Sequence, residues 1–270
     1  MTYTRFAVEV ADLIAQVRFH RPDKANALDE AAWTELQAIF EDLDARPEVR
    51  VVVLAGEGKH FCSGIDLSLL ASLQQQTAHP DGARSRELLR RKILAMQAPV
   101  NAIERCRQPV VAAIHGGCIG AGLDIASACD LRYCTDDATF CLKEIDVGMV
   151  ADLGTLQRLP KLVAPGVVAE LAYTGRPVSG REAVGLGLAN RSFADVAALH
   201  AGVMAVAQAI AAKSPLAVRG TKEVLRYARD HSVADGLDHI ATWNAAMLMS
   251  ADLQEALQAA QQKRPPVFGS

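Results

Sequence analysis

The 270-residue chain has no excess of charge of either sign. Its 28 Lys and Arg stand against 31 Asp and Glu, a formal net charge of −3. No basic patch dominates, which argues against nucleic acid as the main partner. No apolar run approaches the ~20 residues that a membrane-spanning helix needs, so no membrane insertion is expected. The first residues, Met1-Thr-Tyr-Thr-Arg-Phe6, show neither a signal-peptide core nor an Arg-rich transit pattern. The last, Val267-Phe-Gly-Ser270, do not form a peroxisomal address. The six cysteines (Cys62, Cys106, Cys118, Cys129, Cys134 and Cys141) include no Cys-x-x-Cys pair. The expectation is buried, reduced thiols in a cytoplasmic protein. No His or Cys falls in metal-ligand spacing, so no metal is expected. No Gly-Lys-Ser/Thr is present, which excludes a P-loop.

What the chain does have is an even, half-apolar composition. That suits one large globular domain, or one domain with an appendage. Phe6–Val10 and Leu13–Phe19 alternate around Ala11-Asp12 and predict a β-hairpin. Asp29 caps a predicted helix whose Trp33, Leu36, Phe40 and Leu43 recur at helical spacing. Val51–Leu54 and Val110–Ile114 are short and wholly apolar, as expected of parallel strands covered on both faces. A polar stretch from Gln74 to Ser85 reads as a mobile loop, followed by a helix from about Arg86 to Arg105. A third β segment is expected at Leu131–Cys134, which completes an α/β alternation. After about Asp195 the strand signals vanish. Three helices are expected there, with breaks at Lys213-Ser-Pro215, His231-Ser232 and Ser250, and the helix around Val233, Leu237, Ile240 and Met247 carries an apolar stripe.

Three acids lie in mostly apolar, small-residue surroundings: Asp124, Glu144 and Asp152. Burial raises a carboxyl pKa, and a second acid nearby raises it further. Such an arrangement can hold an acid and a base in one site at neutral pH. Two glycine-bearing turns follow strands, Gly56–Leu67 and Gly116–Gly122. Gly64 permits a sharp turn that aims the Ile65 N–H outward. Gly116–Gly122 leads into a predicted helix over Leu123–Ala128, whose N-terminus favours an anion. Two such N–H groups converging on one oxygen would make an oxyanion hole. The glycines read equally well as serving backbone geometry alone. Each acid also has a structural reading: Asp124 as a helix-start acid, Glu144 as a partner of an Arg such as Arg132, and Asp152 as a cap of the turn before Gly154-Thr155. His60 and His115 fall near these turns, with a structural role favoured for both.

Four segments together resemble the crotonase, or enoyl-CoA hydratase/isomerase, superfamily. They are His20-Arg-Pro-Asp-Lys-Ala-Asn-Ala-Leu28, Phe61-Cys-Ser-Gly-Ile-Asp-Leu67, Ile114-His-Gly-Gly-Cys-Ile-Gly-Ala-Gly-Leu-Asp124 and Gly154-Thr-Leu-Gln-Arg-Leu-Pro160. The resemblance implies an α/β fold, a spiral of ββα units over residues 1–195 carrying an acyl-CoA site. It implies a helical C-terminal region, 196–270, that forms a homotrimer or a dimer of trimers. It further implies a thioester carbonyl held by the N–H groups of Ile65 and Ala121, where many members have Gly in place of Ala121. Lys24, Ala25, Ala27, Ser63, Gly64, Asp66 and Gly120 would lie along the bound acyl-CoA, with Lys24 reaching its phosphates. For proton transfer, Asp66 and Asp146 read as structural.

The acids resemble those of one subgroup. Typical enoyl-CoA hydratases carry Glu at the positions of Asp124 and Glu144 and no acid at 152. Asp124, Glu144 and Asp152 resemble the Δ3,5-Δ2,4-dienoyl-CoA isomerases, as do the stretch 143–160 and Asp230-His-Ser-Val233. The resemblance implies isomerisation of a 3,5-dienoyl-CoA to the 2,4-isomer in fatty-acid β-oxidation. Glu144 would act at C2, Asp152 at C6, and Asp124 would orient or tune Glu144. No cofactor is implied beyond the CoA of the substrate. The alternatives are syn hydration of a 2-enoyl-CoA, with Asp124 and Glu144 around a water, and a non-catalytic acyl-CoA-binding or scaffolding protein.

Overall fold

The computed structural model describes residues 3–269. Its frame is a six-stranded sheet in the order β1-β2-β3-β4-β6-β9. Strands β1 (Phe6–Ala11) and β2 (Ile14–Phe19) form the antiparallel hairpin. The turn is Asp12-Leu13, with φ of 50° and 68°, rather than Ala11-Asp12. A two-residue turn with positive φ at both positions matches the strand twist, and it pairs Ala11 with Ile14. Strands β3 (Val51–Gly56), β4 (Val110–Ile114), β6 (Leu131–Thr135) and β9 (Arg191–Phe193) continue the sheet in parallel.

The apolar runs are covered on both faces, as their composition requires. Val52, Leu54, Val110, Ala112 and Ile114 face the main core with helix α1 (Glu30–Ala45). Val51, Val53, Val111 and Ala113 face Leu199, Val203 and Ala207 of helix α8 (Val196–Ala211). Asp29 caps α1 by accepting from the Ala32 N–H, and Trp33, Leu36, Phe40 and Leu43 are buried.

The polar stretch from Gln74 to Ser85 is largely helical, not a loop. Helix α2 spans Leu67–Gln76 and α3 spans Gly82–Arg105. Asp66 caps the first through Ser68, and Asp81 caps the second through Ala83 and Arg84. Glutamines are good helix formers, so polarity alone does not mark a loop. Only residues 77–81, which include Pro80, separate the two helices.

A smaller sheet, β5-β7-β8, joins Gly117–Ile119, Thr139–Cys141 and Val178–Ser179. Helix α4 (Ala121–Ala128) lies between β5 and β6, and every one of its residues is buried. A 3-10 turn over Glu144–Val147 follows β7. Helices α5 (Thr155–Arg158), α6 (Pro165–Thr174) and α7 (Gly180–Gly185) complete this part.

Four helices, not three, make up the tail: α8, α9 (Pro215–Asp230), α10 (Val233–Met247) and α11 (Ala251–Gln261). Three breaks necessarily separate four segments, and Ser214, Ser232 and Ser250 cap the last three. Helix α8 packs on the sheet, whereas α10 buries only Gly236. All six cysteines are free and buried. No single described helix is long and apolar enough to cross a membrane.

Candidate active site

Two turns meet because glycine lets them. Gly64 sits at φ +96°, and a Cβ there would lie 2.9 Å from the Ile119 carbonyl and 3.5 Å from the Ala121 nitrogen. A side chain at Gly122 would lie 2.6 Å from the Cys62 carbonyl. A backbone β-bridge joins residues Cys62 and Cys118 across the same junction. The Leu28 N–H donates to the Gly64 carbonyl and the Asp66 N–H to the Leu28 carbonyl, which turns the intervening Ile65 N–H away from Leu28. On the other turn, Gly120 N donates to the Cys141 carbonyl, while the N–H groups of Leu123 and Asp124 return to Gly120. The Ile65 and Ala121 N–H groups have no acceptor among the described residues. Two open donors thus flank the Gly64 junction, as an oxyanion hole requires.

Sequence reasoning did not single out Asn26, which holds the first turn. Its side chain donates to the carbonyls of Glu57, His60 and Phe61, and its oxygen accepts from the Arg21 N–H. The consecutive positive φ of Ala25 and Asn26 makes this reach possible. His60 and His115 both lie against main-chain groups. His60 Nδ1 accepts from the Gly117 N–H, and His115 Nε2 lies 2.9 Å from the Gly58 carbonyl.

Beside the junction runs an apolar cleft. Ser63, Gly64, Ile65, Gly120, Ala121, Glu144 and Asp152 all line it. Its far wall is hydrocarbon: Leu67, Leu70, Leu73, Ile93 and Met96, from α2 and α3. Helix α2 therefore matters to the site, because it is one of its walls. Lys24, Ala25, Ala27 and Asp66 are not on that wall. Lys24 is exposed at the end of a 3-10 turn. Ala25 borders the cleft by accepting from the Ser63 N–H. Asp66 instead caps α2 and pairs with Arg21 at 2.7 Å. Hydrogen bonds from Ser68 and Arg21 hold its carboxyl down at about 2.

Asp124 stands behind the cleft wall and is 1% exposed. Its Oδ1 accepts two short bonds from Thr155, from the N–H at 2.6 Å and from the hydroxyl at 2.5 Å. Its Oδ2 is buried with no partner among the described residues. Burial, opposed by the Thr155 hydroxyl and reinforced by the charge of Glu144, pushes its carboxyl up to about 7. Burial also raises Glu144, with a further push from Asp152. Asp152 is raised by burial. The three acids form an electrostatic series in which Glu144 is the middle member.

Asp124 does sit in the first turn of α4, as its structural alternative has it, whereas those for Glu144 and Asp152 do not form. Arg132 donates to the carbonyls of Leu188 and Cys129, not to Glu144. The Thr155 N–H is bonded to Asp124, so Asp152 does not cap that turn. Thr155 itself was not singled out from the sequence. Among the described residues, no group of three or more His, Cys, Asp and Glu is placed to hold a metal ion.

The family model for enoyl-CoA hydratase/isomerase matches residues 9–270. The chain belongs to the enoyl-CoA hydratase/isomerase family. Among the relatives of this family member is the peroxisomal Δ(3,5)-Δ(2,4)-dienoyl-CoA isomerase of Arabidopsis thaliana. It is 52% identical over 92% of this chain and 90% of its own length. The mitochondrial Δ(3,5)-Δ(2,4)-dienoyl-CoA isomerase of Mus musculus is 46% identical, over 93% of this chain and 77% of its own length. The crystal structure of an enoyl-CoA hydratase from Bacillus anthracis superposes with a TM-score of 0.88. It is 30% identical and covers 98% of this chain and 99% of its own. The crotonase-like fold follows from that match. The cytoplasmic expectation is overturned, since these similar isomerases are named as peroxisomal and mitochondrial. Composition and terminal residues are weak evidence of compartment, because targeting signals are short and receptor-read.

Proposed function

We propose that this enzyme of the crotonase superfamily isomerises 3,5-dienoyl-CoA to 2,4-dienoyl-CoA, a step of fatty-acid β-oxidation. One observation carries the reading: a second acid, Asp152, shares the apolar cleft wall with Glu144 and the two open N–H groups. Names of relatives at 46–52% identity support it.

The thioester carbonyl accepts from the N–H groups of Ile65 and Ala121. That makes the C2 proton acidic, because the negative charge left by its removal moves onto the held oxygen. Glu144 takes the C2 proton. The released electron pair forms C2=C3, the C3=C4 pair moves to C4=C5, and the C5=C6 pair takes a proton from Asp152 at C6. No electrons leave the substrate, so the reaction calls for no redox cofactor. Burial raises the pKa of both catalytic acids, the direction that favours giving and taking protons. Asp124 is a positioning residue acting through Glu144. Lys24, exposed beside the Ala25–Ser63 contact, is assigned to the CoA phosphates, with Ala25 and Ala27 alongside.

The hydratase reading asks Asp124 and Glu144 to hold a water between them. Here Asp124 lies behind the cleft wall with one oxygen committed to Thr155, and Asp152 would have no task. A non-catalytic acyl-CoA-binding protein would not need three acids with raised pKa values. Assembly as a homotrimer or dimer of trimers is part of the proposal. It is supported by Leu225, Val233 and Leu237, which are 68%, 80% and 64% exposed on the tail helices. Such exposed apolar side chains call for a cover.

The test is to incubate the purified protein separately with a 3,5-dienoyl-CoA and a 2-enoyl-CoA. Growth of conjugated 2,4-dienoyl absorbance with the first, and little hydration of the second, is expected. Hydration without isomerisation would replace this reading with the hydratase one.

A further inference from the structure

A second cavity, of about 340 Å³, adjoins the cleft at Asp152 and Leu153. Its character is opposite to that of the cleft. Gln97, Asn101, Glu104, Gln157, Arg158 and Arg229 line it. Gln97 of α3 donates to the Asp152 carbonyl at 2.6 Å, fixing that residue between the two spaces. Arg158 donates to Asn101 and to one Glu104 oxygen, and Arg229 pairs with the other at 2.5 Å. This network holds α3, α5 and α9 around the cavity. Gln157 and Asp230 on its wall are exposed, so it communicates with solvent.

The reaction proposed above leaves a proton debt at Asp152. Each turnover moves one proton from C2 to Glu144 and one from Asp152 to C6. Before the next turnover Asp152 must regain a proton and Glu144 must lose one. An acyl chain bound along the hydrocarbon wall would displace water from beside Asp152. The polar cavity reaches Asp152 from the other side, and polar walls of this size hold water.

We propose that the polar cavity between α3, α5 and α9 is the solvent route that returns a proton to Asp152. This rests on the isomerase reading. It means that the hydrogen added at C6 comes from water rather than from the substrate's own C2.

Substrate deuterated at C2, turned over in ordinary water, tests the route. Wild type should yield product with ordinary hydrogen at C6. Gln157→Phe should plug the cavity, and the Gln157 side chain makes no hydrogen bond among the described residues. It should lower kcat several-fold at unchanged KM and place C2-derived deuterium at C6, as protons pass internally from Glu144 to Asp152. Gln157→Ala, which widens the cavity, should keep wild-type kcat and labelling. A wild type that already carries most of its C2 deuterium to C6 overturns the route without any variant. So does a folded Gln157→Phe with unchanged kcat and labelling. A wild type that does not isomerise the substrate at all rejects the functional reading, and the route with it.

Discussion

Replacing Asp124 with Asn should stabilise the protein above neutral pH while impairing catalysis. The Asp124 carboxyl rises from an ordinary 3.8 to about 7, first because it is buried and then because Glu144 lies near. A folded-state pKa above the ordinary one means that the folded protein holds the proton more tightly than the unfolded chain. Stability is then untouched below about pH 4, falls as pH rises from about 4 to 7, and stays low above that. A rise of about three units at ~1.4 kcal/mol each puts the penalty on the order of 4 kcal/mol above pH 7. An Asn oxygen can still accept both Thr155 bonds. Its amide takes the place of the unpartnered Oδ2, and an unsatisfied buried amide costs ~1–3 kcal/mol. The net expectation at pH 8 is a gain of about 1–3 kcal/mol. That gain should shrink steadily as pH falls toward 4. Glu144 works in the same direction, since removing the Asp124 charge eases its ionisation. Urea unfolding at fixed protein concentration, repeated from pH 4.5 to 8.5, reads the difference; concentration is held because assembly adds to stability. Thr155→Val should do the opposite, deepening the loss at pH 8 by ~1.5–3 kcal/mol as the charged carboxylate loses a donor. A difference between Asp124→Asn and wild type that is flat across this range, or that favours wild type at high pH, would refute the reasoning.

Asp152→Asn should lower isomerisation by ~10²–10⁴-fold, the usual contribution of a positioned acid, with fold and CoA binding intact. Near-full turnover in steady-state assays would reject its role at C6. Gly64→Ala should cost ~10²–10³ in kcat, since a Cβ at φ +96° and 2.9 Å from the Ile119 carbonyl must shift the Ile65 donor. An unchanged kcat would remove Ile65 from the oxyanion hole. Light scattering at micromolar concentration should find a trimer or hexamer, and a stable monomer would end that claim. A chain truncated after Lys213 should aggregate, because the face that α9 covers would be exposed.

Much of the fold was legible because its signals are local. Val51–Leu54 and Val110–Ile114 are wholly apolar, and both their faces are covered. Asp29 announced α1, and it caps that helix. Polarity after Gln74 suggests a loop, but helix-forming glutamines and the Asp81 cap decide otherwise. The hairpin turn was misplaced by one residue because Leu13, an apolar residue, occupies a positive-φ position. Within the site, the acids and both turns were visible as motifs. The Thr155 contact with Asp124 was not, because it spans 31 residues and depends on how α4 and α5 dock. Nor does sequence reveal depth: Asp124 and Glu144 look alike as motif acids, yet one lines the cleft and the other lies behind it. Asn26 could have been suspected, since Asn tolerates left-handed backbone and its segment lies within a motif.

The proposed reaction divides its labour between two acids, with Glu144 at C2 and Asp152 at C6. Proton NMR of the dienoyl-CoA substrate in D₂O tests it most directly. Wild type should exchange C2 and isomerise. Asp152→Asn should keep C2 exchange while losing isomerisation, because removing the C2 proton does not need the second acid. Glu144→Gln should lose both. C2 exchange at the wild-type rate in Glu144→Gln would contradict the assignment.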